Sequence, residues 1–156
     1  MNTVTLLQPP RIVFGNGCAS QCVDFFAQRM VKRPLLVTSK SVRPQLDPII
    51  AALKSAGVEV IECHFVPPEP TVKFFELAVA DARDKQIDSV LSIGGGSVMD
   101  IGKLIAALAG GRQQIDEVFG VNLLAGRELP LVCLPTTAGT VLRSRLTPFY
   151  WTKPMS

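Results

Sequence analysis

Residues 90–108 read Val90-Leu91-Ser92-Ile93-Gly94-Gly95-Gly96-Ser97-Val98-Met99-Asp100-Ile101-Gly102-Lys103-Leu104-Ile105-Ala106-Ala107-Leu108. An apolar run of strand character meets three consecutive glycines and passes into a segment where Val98, Ile101, Ile105 and Leu108 recur at helical spacing. Strand, glycine turn and helix start, in that order, build an anion site. Glycines let the backbone turn sharply and approach a ligand closely, and the first N–H groups of a helix lack intrahelical partners and point at the anion. A phosphate-bearing cofactor is the expected ligand. Ser97 and Asp100, three residues apart, also have the pattern of a capping box, which is a purely structural account of those two side chains. A cap does not require three glycines in a row, whereas close approach of a ligand to the backbone does.

On either side of this stretch, strands and helices alternate. Arg11 to Phe14 reads as a short strand ended by Gly15-Asn16-Gly17, and Cys18 to Met30 has helical spacing. Pro34 opens a strand through Thr38, and Val42 to Ala56 reads as a helix with Gly57 as its C-terminal cap. Val58 to Phe65 is the next expected strand. Pro67-Pro68-Glu69-Pro70 is a stiff connector, and Thr71 is placed to cap a helix running to about Lys85. Beyond the glycines, Leu134-Pro135-Thr136-Thr137-Ala138-Gly139-Thr140 again runs from strand to turn. The pattern predicts βαβ units, right-handed crossovers and a parallel sheet covered by helices on both faces. In such a sheet ligands sit at the carboxyl ends of the strands, where Ser39, Glu69, the glycines and Thr136 fall.

With 156 residues the chain suits one domain able to bury a core without disulfides. Its 47% hydrophobic content and mean hydropathy of +0.31 fit strands buried on both faces. No apolar run approaches the roughly 20 residues of a spanning helix, and no secretory signal is visible at Met1 to Pro10, so the expected location is the cytoplasm without a membrane partner. The net charge of +3 arises wholly from Arg143, Arg145 and Lys153, because no acid follows Glu128. The body of the domain is therefore balanced, and a nucleic-acid partner is not expected. Cys18 and Cys22 lack zinc-knuckle spacing, and Cys63-His64 on a strand would face opposite ways, so ordinary buried thiols are the expected reading and no metal site is assigned.

Two common nucleotide motifs do not fit. A Walker A loop needs Gly where Ser97 stands and Ser or Thr where Leu104 stands. The GxGxxG fingerprint finds Met99 in place of its third glycine and belongs at the first strand of a domain, not this late.

Taken together, GGGSVMDIGK at 94–103, LPTTAGT at 134–140 and the Pro68-Glu69-Pro70-Thr71 turn resemble the N-terminal domain of the iron-containing (group III) alcohol dehydrogenases, with dehydroquinate synthase and glycerol dehydrogenase as more distant relatives. The resemblance spans about residues 8–140. It implies a Rossmann-like α/β fold, NAD or NADP as cofactor, and alcohol or aldehyde oxidoreduction assisted by a divalent metal, usually iron, held in a helical C-terminal domain. Carried over by motif, Gly94, Gly95, Gly96 and Ser97 would hold the pyrophosphate and Asp100 would steady the turn. Thr136, Thr137 and Thr140 would lie near the nicotinamide half. Glu69 stands where members often have Asn. Ser39 stands where many NAD-preferring members have Asp, and with Lys40 and Arg43 nearby it leaves NADP open; a plain polar loop accounts for these three residues equally well.

The family continues Pro-Thr-Thr-Ala-Gly-Thr with Gly-Ser-Glu, whereas Val141-Leu142-Arg143-Ser144 follow here. The expectation is a dinucleotide-binding domain at 1–140 and a divergent, disordered tail at 141–156, with the metal-binding domain absent and His64 the only histidine. The tail holds the only Tyr and Trp, Tyr150 and Trp151, and reads either as out-of-frame sequence or as a segment that covers the surface left bare. Self-association through that surface is expected. Three readings stay open: the cofactor domain of an iron-containing alcohol dehydrogenase, inactive alone; a non-catalytic dinucleotide-binding module; and a truncated product without function.

Overall fold

The computed structural model of the chain describes residues 10–63, 65–118 and 123–136. His64, Thr137, Thr140 and the segment 141–156, on which several sequence expectations fall, lie outside them.

Four strands, β1 (Pro34–Thr38), β2 (Ile61–Glu62), β3 (Ser89–Gly94) and β4 (Leu131–Pro135), form one sheet in the order β2-β1-β3-β4. All neighbours are parallel, with Pro34 opposite Ser89, Thr38 opposite Ile93, Val90 opposite Leu131 and Gly94 opposite Pro135. Every residue of β1 and β3 is buried, as strands sandwiched between two helix layers must be. Alternation divides their side chains: Leu35, Val37 and Val90 join one core, and Leu36, Leu91 and Ile93 join the other.

The first core is completed by α3 (Val72–Asp84) and α4 (Gly96–Leu108), the second by α1 (Gln21–Gln28) and α2 (Asp47–Ser55). This is the expected Rossmann-like α/β arrangement with helices on both faces. Val98, Ile101, Ile105 and Leu108 of α4 are all buried, which fits the stripe read from their spacing. Thr71 caps α3 as expected, its hydroxyl accepting from the Phe74 amide at 3.3 Å. At the other end of α4, the Arg83 guanidinium donates to the carbonyls of Leu108, Gly111 and Gln113 at 2.8, 3.2 and 2.9 Å, satisfying acceptors that a helix end leaves over.

Three local expectations are corrected. Arg11 to Phe14 is not a strand: among the described residues no sheet neighbour supplies its hydrogen bonds, and Phe14 is fully exposed. The helix expected over Cys18 to Met30 is a 3-10 turn (Cys18–Ser20) followed by α1, which stops where Met30 takes a positive φ of 52°. The strand expected over Val58 to Phe65 shrinks to Ile61–Glu62. Among the described residues, Cys63 N donates to Leu36 O and Val66 N donates to Thr38 O, three positions along on this side against two on β1. That extra residue breaks the ladder as a bulge does. No described helix is long and apolar enough to cross a membrane.

Candidate dinucleotide site

From β1 the chain passes through α2 on one face to β2, whereas from β3 it passes through α4 on the opposite face to β4. The two connections leave in opposite directions, which makes the carboxyl ends of β1 and β3 the topological switch point of the sheet. A buried hydrogen bond from Thr38 Oγ1 to the Ile93 carbonyl, 2.8 Å, ties the two strand ends together there.

A cleft of about 370 Å³ opens at this point, in the size range of small-molecule sites. Three segments line it: 39–41 after β1, 66–68 after β2, and 95–98 at the start of α4. The first is a turn closed on the Ser39 carbonyl, which accepts from the amides of Val42 and Arg43 at 3.1 and 3.0 Å, with the Ser39 and Ser41 hydroxyls 3.1 Å apart. The second is pinned to β1 through the Val66 amide. The third is the glycine turn.

The structure separates the glycines by role. A Cβ on Gly94 would lie 2.7 Å from a Val98 methyl, and one on Gly102 would lie 2.6 Å from Ser92, so both are required by the packing of α4 onto β3. Gly102 thus supplies the close helix–strand contact for which the GxGxxG fingerprint uses its last glycine. Gly95 is the N-cap of α4 with φ −83° and ψ −169°, extended backbone open to any residue. Its lack of a side chain instead leaves the first turn of α4 uncovered toward the cleft.

The capping box does not form. Gly95 stands at the cap, where no side chain accepts from the first amides of α4, while the Ser97 hydroxyl donates to the Pro68 carbonyl at 2.9 Å and joins two walls of the cleft. Asp100 lies on the exposed side of α4, paired with Lys103 at 3.2 Å. Glu69 is exposed one residue beyond the lining. Thr136 is exposed at the end of β4, its amide donating to the Gly94 carbonyl at 3.0 Å. The cleft therefore brings together Ser39, Gly95, Gly96 and Ser97. Gly94 lies buried beneath the turn, and Glu69, Asp100 and Thr136 are outside the lining.

Pro68, which the sequence places with Glu69 at the ligand edge of the sheet, does line the cleft, whereas Ser41, Val66 and Pro67 are lining residues that the sequence does not single out.

The electrostatics favour an anion. Among the described residues Lys40 is the only charged one of the lining, and the positive end of the α4 dipole opens into the same space. Arg43 does not take part. Its Nε and Nη2 donate to the two oxygens of Glu62 at 2.9 and 2.8 Å, and its Nη1 donates to Asp47 at 2.6 Å. Hydrogen bonding to Arg43 holds the Glu62 carboxyl below the ordinary range.

Sheet order, helix layers and a glycine-lined cleft at the switch point define a Rossmann-like α/β domain. The sequence model of the iron-containing alcohol dehydrogenase family matches residues 9–148, and the chain belongs to that family. Relatives include long-chain-alcohol dehydrogenase 1 of Geobacillus thermodenitrificans, 32% identical over 145 residues that make up 90% of this chain and 37% of the relative. Another is the mitochondrial hydroxyacid-oxoacid transhydrogenase of Caenorhabditis elegans, 37% identical over 135 residues, 81% of this chain and 29% of the relative. Among solved structures, a 1,3-propanediol oxidoreductase superposes with a TM-score of 0.80 at 30% identity, covering 88% of this chain and 37% of that one. Sulfoacetaldehyde reductase from Bifidobacterium kashiwanohense, solved in complex with NAD+, gives a TM-score of 0.75 at 26% identity, covering 89% and 37%. The chain thus spans about a third of the length of these relatives.

Proposed function

We propose that residues 10–136 are the dinucleotide-binding part of an NAD- or NADP-dependent alcohol dehydrogenase. The observation that carries this is the first turn of α4, which opens into the switch-point cleft with glycine at its cap and with Lys40 but no carboxylate among the described lining residues. These are the donors that a pyrophosphate takes at a helix N-terminus. In this reading the amides of Gly96, Ser97 and Val98 hold the pyrophosphate over Gly95, and Gly94 keeps the turn against β3. Ser97 acts through its amide, since Pro68 already holds its hydroxyl. Ser39 faces the ribose of the adenosine half, and Thr136, with Thr137 and Thr140 beyond it, leads toward the nicotinamide half.

The family's metal is a separate matter. Among the described residues no three His, Cys, Asp or Glu side chains come together as a metal site requires, so these residues do not fit an iron ion. Hydride exchange with a small alcohol or aldehyde belongs to the length that the relatives have beyond this match. Binding is the activity that this part supports by itself.

Isothermal titration of the chain with NAD+, NADP+, ADP-ribose and nicotinamide mononucleotide tests the reading. The three ligands that carry pyrophosphate and adenosine should bind, and the mononucleotide should bind far more weakly. No binding of any of them at millimolar concentration would overturn it.

A further inference from the structure

Two cations follow β1 within five residues, Lys40 and Arg43, and the structure treats them differently. Lys40 lines the cleft between two serines and makes no hydrogen bond or ion pair among the described residues. Arg43 starts from the same turn, its amide 3.0 Å from the Ser39 carbonyl, yet all three of its guanidinium nitrogens are taken up by Glu62 on β2 and Asp47 at the start of α2. Three of its five N–H donors are thus engaged by carboxylates, which fixes its direction and makes the trio net negative. The fork on Glu62 is bidentate, the geometry in which an arginine–carboxylate pair is strongest and most fixed in direction.

We infer that Glu62 and Asp47 hold Arg43 away from the cleft, so that Lys40 alone faces the ribose and the domain's discrimination between NADP+ and NAD+ is set by these two carboxylates. The inference rests on the dinucleotide reading above. A guanidinium swung from Glu62 over Ser39 would meet a 2′-phosphate as readily as it now meets a carboxylate, because the fork suits both anions. Glu62 and Asp47 are therefore specificity-determining without touching the ligand: they act through Arg43.

The test compares the ratio of NADP+ to NAD+ dissociation constants in four proteins, each first checked for a cooperative thermal transition. In wild type the ratio reflects Lys40 and not Arg43, so Lys40→Gln raises it. Glu62→Gln with Asp47→Asn frees Arg43 and lowers the ratio about tenfold, the worth of one charge-assisted hydrogen bond. Adding Arg43→Gln to that pair abolishes the gain. A merely structural ion pair would change the melting temperature without this gain in affinity. An unchanged ratio in the carboxylate pair, or a gain that survives the added Arg43→Gln, would overturn the inference and leave the dinucleotide reading intact. Failure of wild type to bind either dinucleotide would overturn both.

Discussion

Gly102 of α4 lies so close to Ser92 of β3 that a Cβ added to the glycine would sit 2.6 Å from both Cβ and Oγ of the serine. The same serine hydroxyl donates to the Val98 carbonyl at 2.8 Å, one turn earlier on the helix. Helix and strand are thus interlocked just below the glycine turn, and the contact fixes where the first amides of α4 point.

Gly102→Ala should therefore destabilise the domain although alanine is the better helix former. Overpacking costs about 1–3 kcal/mol, against roughly 1 kcal/mol gained in helix propensity. Urea denaturation would show a lower midpoint. Adding Ser92→Gly removes the clash and should recover part of the loss; no recovery would assign the loss to something other than this contact.

Thr71→Ala removes the side-chain acceptor at the start of α3, Thr71 Oγ1, which accepts from Phe74 N. The expected loss is about 1 kcal/mol by denaturant unfolding, and Thr71→Ser or Thr71→Asn should retain most of it. An equal loss in all three variants would contradict the cap.

Burial pushes the Cys22 thiol up from 9.0 to about 11. Between these values the unfolded chain has released the proton while the folded chain keeps it, so unfolding becomes easier as pH rises. The stability that the neutral thiol contributes is complete below pH 9 and is lost as pH rises through about 11. Measured from pH 8 to 11, the stability of Cys22→Ala should fall less steeply than that of wild type. Parallel slopes would show that the thiol is not protected by burial.

Ser97→Ala frees the Pro68 carbonyl. Amide exchange at Val66 and Glu69, the two residues of this segment that carry an N–H, should quicken while that of β3 is unchanged, because Thr38 and Ser92 hold the strand independently. Equal protection in both proteins would mean that the hydroxyl does not fasten this wall.

The fold was legible because β1 and β3 are continuous apolar runs and because α4 repeats its apolar residues at helical spacing over thirteen positions. Edges were less legible. Apolar content cannot tell a ladder from an extended segment with one residue too many, as at Cys63 to Val66, nor can it supply a sheet neighbour for Arg11 to Phe14. At the sheet edge, the sequence pattern puts the glycines and Ser39 where the cleft lies but does not give the partners of Ser97 and Arg43. Ser97 fastens a neighbouring loop instead of capping its own helix, and Arg43 is taken by carboxylates four and nineteen residues away. Such partners depend on how β2 and α2 are brought beside the turn, which no local pattern encodes.

The most direct test of dinucleotide binding at the α4 turn is the NAD+ and NADP+ affinity of Gly95→Asp against wild type by isothermal titration. Gly95 has extended backbone that aspartate adopts without strain, and a carboxylate at a helix cap is tolerated, so the variant should melt near the wild-type temperature. Its charge would stand against the pyrophosphate, and binding of both dinucleotides should be lost. A folded Gly95→Asp protein that binds them as tightly as wild type would contradict the assignment of this turn as the phosphate site.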